Sequence, residues 1–339
     1  MRRVFLFSYD WSNTSGNHTG MGPYISGRLS NDIDNIQVVN MHEYGCYILK
    51  FVNLFKVFYY VCWLSIVLKK NDVVFLMEYL GRSSFHVELA MLLKLLRPKA
   101  KIYGMVHLSG KHLLEVNKTK KNISRMINYI DRCYVLGSSL ASFLEKEIGY
   151  KNVRTIFHYV DNEYYKPLDK MEVKATLDVL CIGNTKRNFD LLRRIIQDMP
   201  NVHFNICQGK NDYTSYFGSF ANVTLLGYLK EHELLSLMQN SDVNLSVMED
   251  TIGSNVITTA LATGMILVVS DVGSIRDYCT DKESYLCRNE QDFIDSINYL
   301  VNHLDEIPEK RKKSYERSKL FTYDRFRDVI RQELFGDMV

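Results

Sequence analysis

Two stretches of the chain carry residue types that suit a phosphate. Over 241–278 it reads SDVNLSVMEDTIGSNVITTALATGMILVVSDVGSIRDY. Val243, Leu245 and Val247 alternate with Asn244, Ser246 and Met248, the period of a strand. A polar turn follows, Glu249-Asp250-Thr251 and then Gly253-Ser254-Asn255. Val256, Ile257, Ala260 and Leu261 next take one helical face, and Gly264 ends the helix. Ser254 or Asn255 is placed to cap that helix, whose free backbone N–H groups and dipole suit an anion. The second stretch, Gly183-Asn184-Thr185-Lys186-Arg187-Asn188, follows an apolar run over 178–182. Two cations at a helix start oppose the helix dipole, so they point to an anion there; a solvated helix start is the alternative.

Two further places have chemistry to offer. The loop over 8–19 ends in Gly20-Met21-Gly22-Pro23, between a first strand and a first helix. Glycines there allow close backbone approach to a phosphate or sugar, or make a plain turn. His107 stands at the end of the apolar run 101–106, and a histidine at the carboxyl end of a parallel strand is a candidate site residue.

The elements that position these residues alternate. Strands are expected over 4–7, 72–77, 101–106, 131–136, 178–182, 202–207, 223–226, 243–247 and 265–269. Helices are expected from 24, over 86–96, 189–196, 231–239, 256–263 and 292–304, after Ser138-Ser139, and as one long basic helix over 309–334. The run 265–269 is apolar throughout, as in a strand buried on both faces. Ligands of open α/β sheets bind outside the carboxyl ends of the strands, where the loops above collect. An ordinary structural βαβ unit is the other reading of the same periodicity.

Residues 47–68, YILKFVNLFKVFYYVCWLSIVL, form the most apolar stretch and approach the length of a membrane span. Lys50 and Lys56 argue against spanning. A core helix, a partner interface, and an amphipathic helix on a membrane surface remain, and peripheral membrane contact through 47–70 is the expectation carried forward.

With 339 residues, about two domains are expected. A composition of 46% hydrophobic and 24% charged residues is globular, and a net charge of +3 gives no argument for nucleic acid. Seven scattered cysteines without a CxxC pair read as reduced thiols of a cytoplasmic protein, neither a disulfide framework nor a zinc site. The start, MRRVFLFSYDW, reads as a first strand, not a signal peptide. Asp32 and Asp34 have the spacing of a metal-binding pair but fall in a helix-to-strand connection, so no metal is expected.

The wording of 241–278 resembles the donor-sugar site of retaining GT-B glycosyltransferases of the family 4 type. In that family a Glu-Gly-Phe turn precedes a helix carrying Glu-Ala-Met-Ala-x-Gly, then an apolar strand and Ser-Asp-x-Gly-Gly. Asn255-Val256, Ala260-Leu261-Ala262-Thr263-Gly264, Val268-Val269-Ser270-Asp271-Val272-Gly273 and Ile275-Arg276 match in order and spacing. Thr251 and Thr259 stand where the family has two glutamates, with Glu249 and Asp250 just before the first. Residues 131–139 resemble Ala-Asp-x-Ile-x-x-x-Ser, and 155–167 resemble the segment closing the first domain, with His158-Tyr159 in place of Asn-Gly. Phe321-Thr322-Tyr323 resembles the family's Phe-Ser-Trp, and Gly227-Tyr228-Leu229 its short segment near the nucleobase.

The resemblance implies two doubly wound, Rossmann-like domains facing a cleft: an acceptor domain over 1–165, a donor domain over 166–310, and a C-terminal helix over 311–339 crossing back. It implies transfer of a sugar from a nucleotide-diphosphate-sugar to a glycan or lipid-linked glycan acceptor with retention, in cell-surface polysaccharide or O-antigen synthesis, at the inner face of a membrane. His107, Lys186 and Arg187 take the catalytic roles. Gly20, Gly22, Gly183, Asn184, Tyr228, Glu249, Asp250, Thr251, Gly253, Ser254, Asn255, Val256 and Thr259 bind the donor, and no metal or cofactor is required. A non-catalytic GT-B scaffold and a nucleotide-sugar epimerase are the alternatives.

Overall fold

The computed structural model describes residues 2–10, 18–42, 47–81, 84–169 and 173–336, the side chains of 47–51 excepted. The chain divides into two units: Met1–Phe157 with Phe326–Val339, and His158–Arg325. In the first, β1 (Val4–Asp10), β2 (Ile36–His42), β3 (Val73–Leu76), β4 (Lys101–Val106), β5 (Arg132–Val135) and β6 (Val153–Thr155) make one parallel sheet in the order β2-β1-β3-β4-β5-β6. Helices α1 (Pro23–Asp32), α2 (Tyr47–Val67), α3 (His86–Leu96), α4 (Gly110–Asn117), α5 (Lys120–Ile127) and α6 (Ser138–Phe143) connect them.

The second unit repeats the plan with β7 (Val179–Cys181), β8 (Phe204–Cys207), β9 (Val223–Leu226), β10 (Val243–Ser246), β11 (Ile266–Ser270) and β12 (Ser284–Cys287). Their order is β12-β11-β10-β7-β8-β9, again parallel. Its helices are α7 (Phe189–Asp198), α8 (Thr214–Phe217), α9 (Glu231–Asn240), α10 (Asn255–Ala262), α11 (Ile275–Tyr278), α12 (Glu290–Asn302) and α13 (Ile307–Ser318). Strand order reverses between β1 and β3 in one sheet and between β7 and β10 in the other. These reversals are where open sheets part at their carboxyl ends and leave a crevice for a ligand.

The strands follow from apolar runs. Every residue of β3, β7, β10 and β11 is buried, as covering a parallel sheet on both faces requires. Gly264 takes φ +75 after α10, while Met265 N–H donates to Ala260 O and Gly264 N–H to Leu261 O. This is a Schellman close, and it turns the chain directly into β11.

Several local features differ from the sequence reading, the unassigned β2, α8 and α11 among them. Helices α4 and α5 occupy a stretch with no assigned element, capped by Ser109 and Thr119 through the N–H groups of His112 and Asn122. Strands β6 and β12 are short and half polar, too weak a pattern to stand out. Ser138 lies inside α6, whose N-cap is Gly137 without a side-chain bond. The expected helix over 309–334 is two helices, α13 and α14 (Tyr323–Phe335). Between them Thr322 is extended (φ −65, ψ 154), because Val160 N–H donates to Phe321 O (2.7 Å) and Tyr323 N–H to Val160 O (3.1 Å). That backbone bridge outweighs helix continuity. Beyond it, Arg331 of α14 donates to Asp32 O (2.7 Å) and Glu333 pairs with Arg132 (2.9 Å), within the first unit. Among the described residues, no helix is long and apolar enough to cross a membrane.

One buried ion pair fastens α13 beneath the second sheet. Arg311 donates to Asp242 Oδ1 (3.2 Å), to Gly264 O (3.1 Å) and to Gln239 O (2.7 Å). It thereby joins the start of β10 to the carboxyl ends of α9 and α10. Removing one partner of a buried pair costs about 3–5 kcal/mol when the other charge is left uncompensated, and here Lys174 (3.3 Å) still balances part of Asp242. Arg311→Met is therefore expected to lower the free energy of unfolding in urea by an amount toward the lower end of that range, whereas surface Lys313→Met should leave it unchanged.

Candidate functional site

At the carboxyl edge of the second sheet, the loop after β7 is strapped onto the chain leaving β10. Asn188 N–H donates to Val247 O (3.0 Å) and Glu249 N–H to Lys186 O (2.9 Å), with Arg187 bridged antiparallel to Met248. The strap requires Gly183 at φ +90 and Lys186 at φ +53, the latter uncommon for a residue with a side chain. Asn188 then caps α7, its side chain accepting from Leu191 N–H (3.0 Å).

The strap turns the Arg187 guanidinium inward. It donates to Ile182 O (2.9 Å) and lies against Gly183, where a methyl group would meet it at 2.7 Å and Val256 at 3.1 Å. Gly183, Arg187 and Val256 thus converge, and Val256 belongs to the first turn of α10. Among the described residues no carboxylate pairs with Arg187. Its neighbours Cys181 and Cys207 are neutral, their thiols pushed up to about 12 by burial, and burial raises Tyr213 as well. Burial pushes Arg187 itself down to about 10, so at neutral pH it stays charged. An uncompensated buried charge is costly unless a ligand completes it.

The start of α10 faces the same place. Ser254 is its N-cap, accepting from Ile257 N–H (3.4 Å), and Gly253, Ser254, Asn255 and Val256 are half-buried. The turn before it is held tightly. Thr251 Oγ1 accepts Gly253 N–H (3.1 Å), Asp250 Oδ1 accepts Thr251 N–H (2.8 Å), and Thr251 O accepts Ser274 N–H (2.8 Å). Gly253 has φ +92, and a methyl group on it would lie 2.1 Å from the Tyr278 ring. Tyr278 is buried, stacks on Phe321 at 5.0 Å, and accepts His158 N–H at its hydroxyl (2.9 Å).

Of the two threonines, Thr259 is buried and donates its hydroxyl hydrogen to Asn255 O (2.6 Å), leaving oxygen lone pairs only. Glu249 is exposed, while Asp250 is engaged in the turn. Asn184 is exposed, its amide 3.3 Å from where a methyl group on Gly209 would sit. Tyr228 is exposed, with Lys210 Nζ 5.8 Å from its ring centre. Lys210 follows β8 and was not singled out from the sequence; its only signal there was Gly209, which takes φ +60. Asp271 after β11 is bound by Arg276 (2.8 and 2.9 Å) and Arg288 (3.0 Å), which hold its carboxyl below the usual range.

Gly20, Gly22 and His107 lie in the first unit. Gly20 takes φ +86, and Gly22 is the N-cap of α1, ahead of Pro23. Residues 11–17 of the preceding loop lie outside the described residues. His107, after β4, has Nε2 2.5 Å from Met77 O and 3.8 Å from Glu78 Oε1. A carbonyl only accepts, so Nε2 carries the proton and Nδ1 is left as an acceptor when the ring is neutral. Behind it His86 is buried and pushed down to about 3, hence neutral; its Nδ1 accepts Glu78 N–H (3.2 Å).

Residues 176–303 match the family model described as Glycosyl transferases group 1. No curated protein matches the chain. Among solved structures, sucrose-phosphate synthase from Thermosynechococcus elongatus is 12% identical with a TM-score of 0.78, covering 99% of this chain and all of that one. Anabaena Alr3699/HepE in complex with UDP and glucose is 12% identical (TM-score 0.73; 98% and 100% covered). The lipopolysaccharide outer core galactosyltransferase WaaB is 14% identical (TM-score 0.67; both chains covered in full). At these identities the likeness establishes the fold, a GT-B pair of Rossmann-like units, and the matched segment supports glycosyl transfer as the chemistry of the second unit.

Gly253→Ala is expected to destabilise the protein by at least about 2 kcal/mol, since it combines a left-handed backbone with a ring clash. Pairing it with Tyr278→Leu should recover part of that loss in urea unfolding; equal losses in both backgrounds would mean the ring does not set the turn.

Proposed function

We propose that the chain transfers a sugar from a nucleotide-diphosphate-sugar to an acceptor hydroxyl with retention of configuration. The observation that carries this reading is the unneutralised Arg187 guanidinium beside the first turn of α10, within the segment matching group 1 glycosyl transferases. Nucleotide-sugar chemistry is also what the UDP and glucose in the Anabaena relative represent.

In this reading the diphosphate lies over Gly183 and Asn184, between Lys186, Arg187 and the N–H groups at Gly253, Ser254, Asn255 and Val256. The nucleobase stacks at Tyr228, next to Lys210. Glu249 and Asp250 stand in for the first family glutamate beside Thr251, and Thr259, where the family's second glutamate holds the ribose hydroxyls, offers its oxygen lone pairs. The bond from the anomeric carbon to the phosphate oxygen breaks, and its electron pair leaves with the diphosphate. Two cations and a helix N-terminus stabilise that developing charge. The acceptor oxygen bonds to the anomeric carbon on the face the phosphate leaves, and its proton passes to the departing phosphate oxygen. No protein nucleophile and no metal takes part in these steps. His107, with Nδ1 as acceptor, and the glycines Gly20 and Gly22 are the first unit's candidate groups for sugar and acceptor. A lipid-linked glycan of cell-surface polysaccharide or O-antigen synthesis, handled at the cytoplasmic face of a membrane, is the acceptor this reading favours.

One observation favours a non-catalytic GT-B scaffold instead: the threonine at each family glutamate position is bound to backbone. Thermal unfolding with UDP, GDP, ADP and CMP and their sugars separates the two. One nucleoside diphosphate series should raise the midpoint by mass action, with the shift reduced in Glu249→Ala. Proton NMR with that donor and a simple acceptor should then give product of the donor's anomeric configuration. No shift with any compound supports the scaffold, and isomerised donor without acceptor would make the chain an epimerase.

A further inference from the structure

Helix α2 is apolar on two opposite faces. Asn53, Val57, Val61 and Leu64 are buried against the first sheet, where Trp63 and Tyr60 meet Phe5 and Phe7 edge-on at 5.3 and 5.4 Å. Phe55, Phe58, Tyr59 and Ile66 recur at helical spacing on the other face and point outward, Phe55 at 74% and Ile66 at 83% exposure. Helix α3 packs on α2 and adds exposed Leu95 and Leu96. A helix at a water-facing surface ordinarily turns polar residues outward, so a second apolar face indicates a covering phase.

Charge identifies that phase. Where α2 and α3 end, a hollow of about 410 Å³ is lined by Leu68 and Leu96 together with Lys69, Lys70, Arg97 and Lys99. Arg97 ties the two helix ends together, donating to Ser65 O (2.5 Å) and Leu68 O (3.0 Å). The acid in the lining, Asp72, is buried and held by Arg3 at 2.6 Å, so the outward rim is cationic. Exposed aromatic and aliphatic side chains beside clustered lysines complement acyl chains and anionic headgroups together.

We propose that the α2–α3 face rests on the surface of an anionic bilayer, with Phe55, Phe58, Tyr59 and Ile66 entering the acyl boundary and a lipid phosphate held in the basic hollow. This docking is independent of the donor reading, since it needs neither nucleotide nor catalysis.

Flotation of the full chain with phosphatidylcholine vesicles, with and without phosphatidylglycerol, tests it. Wild type should float with the phosphatidylglycerol vesicles. Partition should fall about tenfold or more both in Phe55→Ser/Tyr59→Ser/Ile66→Ser and in Lys69→Glu/Lys70→Glu/Lys99→Glu. Circular dichroism and thermal unfolding report whether each variant stays folded, and any nucleotide-induced shift should persist in both. Absence of flotation, or flotation insensitive to both variants, overturns the proposal. So does a concentration-dependent dimer abolished by the serine variant in a protein that ignores vesicles.

Discussion

A guanidinium with no carboxylate to neutralise it among the described residues is the constraint around which the carboxyl edge of the second unit is arranged. Arg187 cannot shed its proton at neutral pH, and the thiols and phenol around it stay neutral. Among the described residues its fixed side-chain partner is a backbone carbonyl, Ile182 O. To hold it there the chain accepts a left-handed Lys186, a glycine too crowded to carry a side chain at 183, and an antiparallel strap onto the exit of β10. Each of these costs conformational freedom, and together they leave positive charge aimed beside a helix N-terminus. That arrangement is unfavourable in isolation and favourable around a diphosphate.

The turn into α10 is the matching half. Its backbone is fixed by Thr251 and Asp250 from within and by Tyr278 and Gly273 from outside, so the N–H groups are set before any ligand arrives. Preorganised donors give more than donors a ligand must first order. Tyr278 also fastens His158 N–H, and Tyr159 O accepts from Thr258 of α10. The segment that opens the second unit is therefore tied to the helix that would meet the phosphates.

Much of this was legible in the sequence. Strands buried on both faces announce themselves as apolar runs, and β4 falls over the residues expected of it. Gly264 as a helix stop and the Gly253-Ser254-Asn255 turn could be read from residue type alone, because glycine and serine have specific backbone uses. What was hidden depends on distant partners. The break at Thr322 comes from a bridge to Val160, far away in sequence. The inward turn of Arg187, and the engagement of Thr259 with its own helix, are side-chain choices that spacing does not encode. Periodicity shows that α2 is apolar, but only packing decides which apolar face is left outside.

The most direct measurement is calorimetric titration of a nucleoside diphosphate, and of the corresponding nucleoside, into wild type and Arg187→Met. Replacing a half-buried cation that has no carboxylate partner among the described residues by an apolar side chain should leave the free protein as stable or more so. Binding of the diphosphate should weaken by about tenfold to a hundredfold, the range of hydrogen bonds to charged groups, with the nucleoside unaffected. Equal diphosphate affinity in the two proteins would show that Arg187 meets no phosphate, and the account of the site would fail.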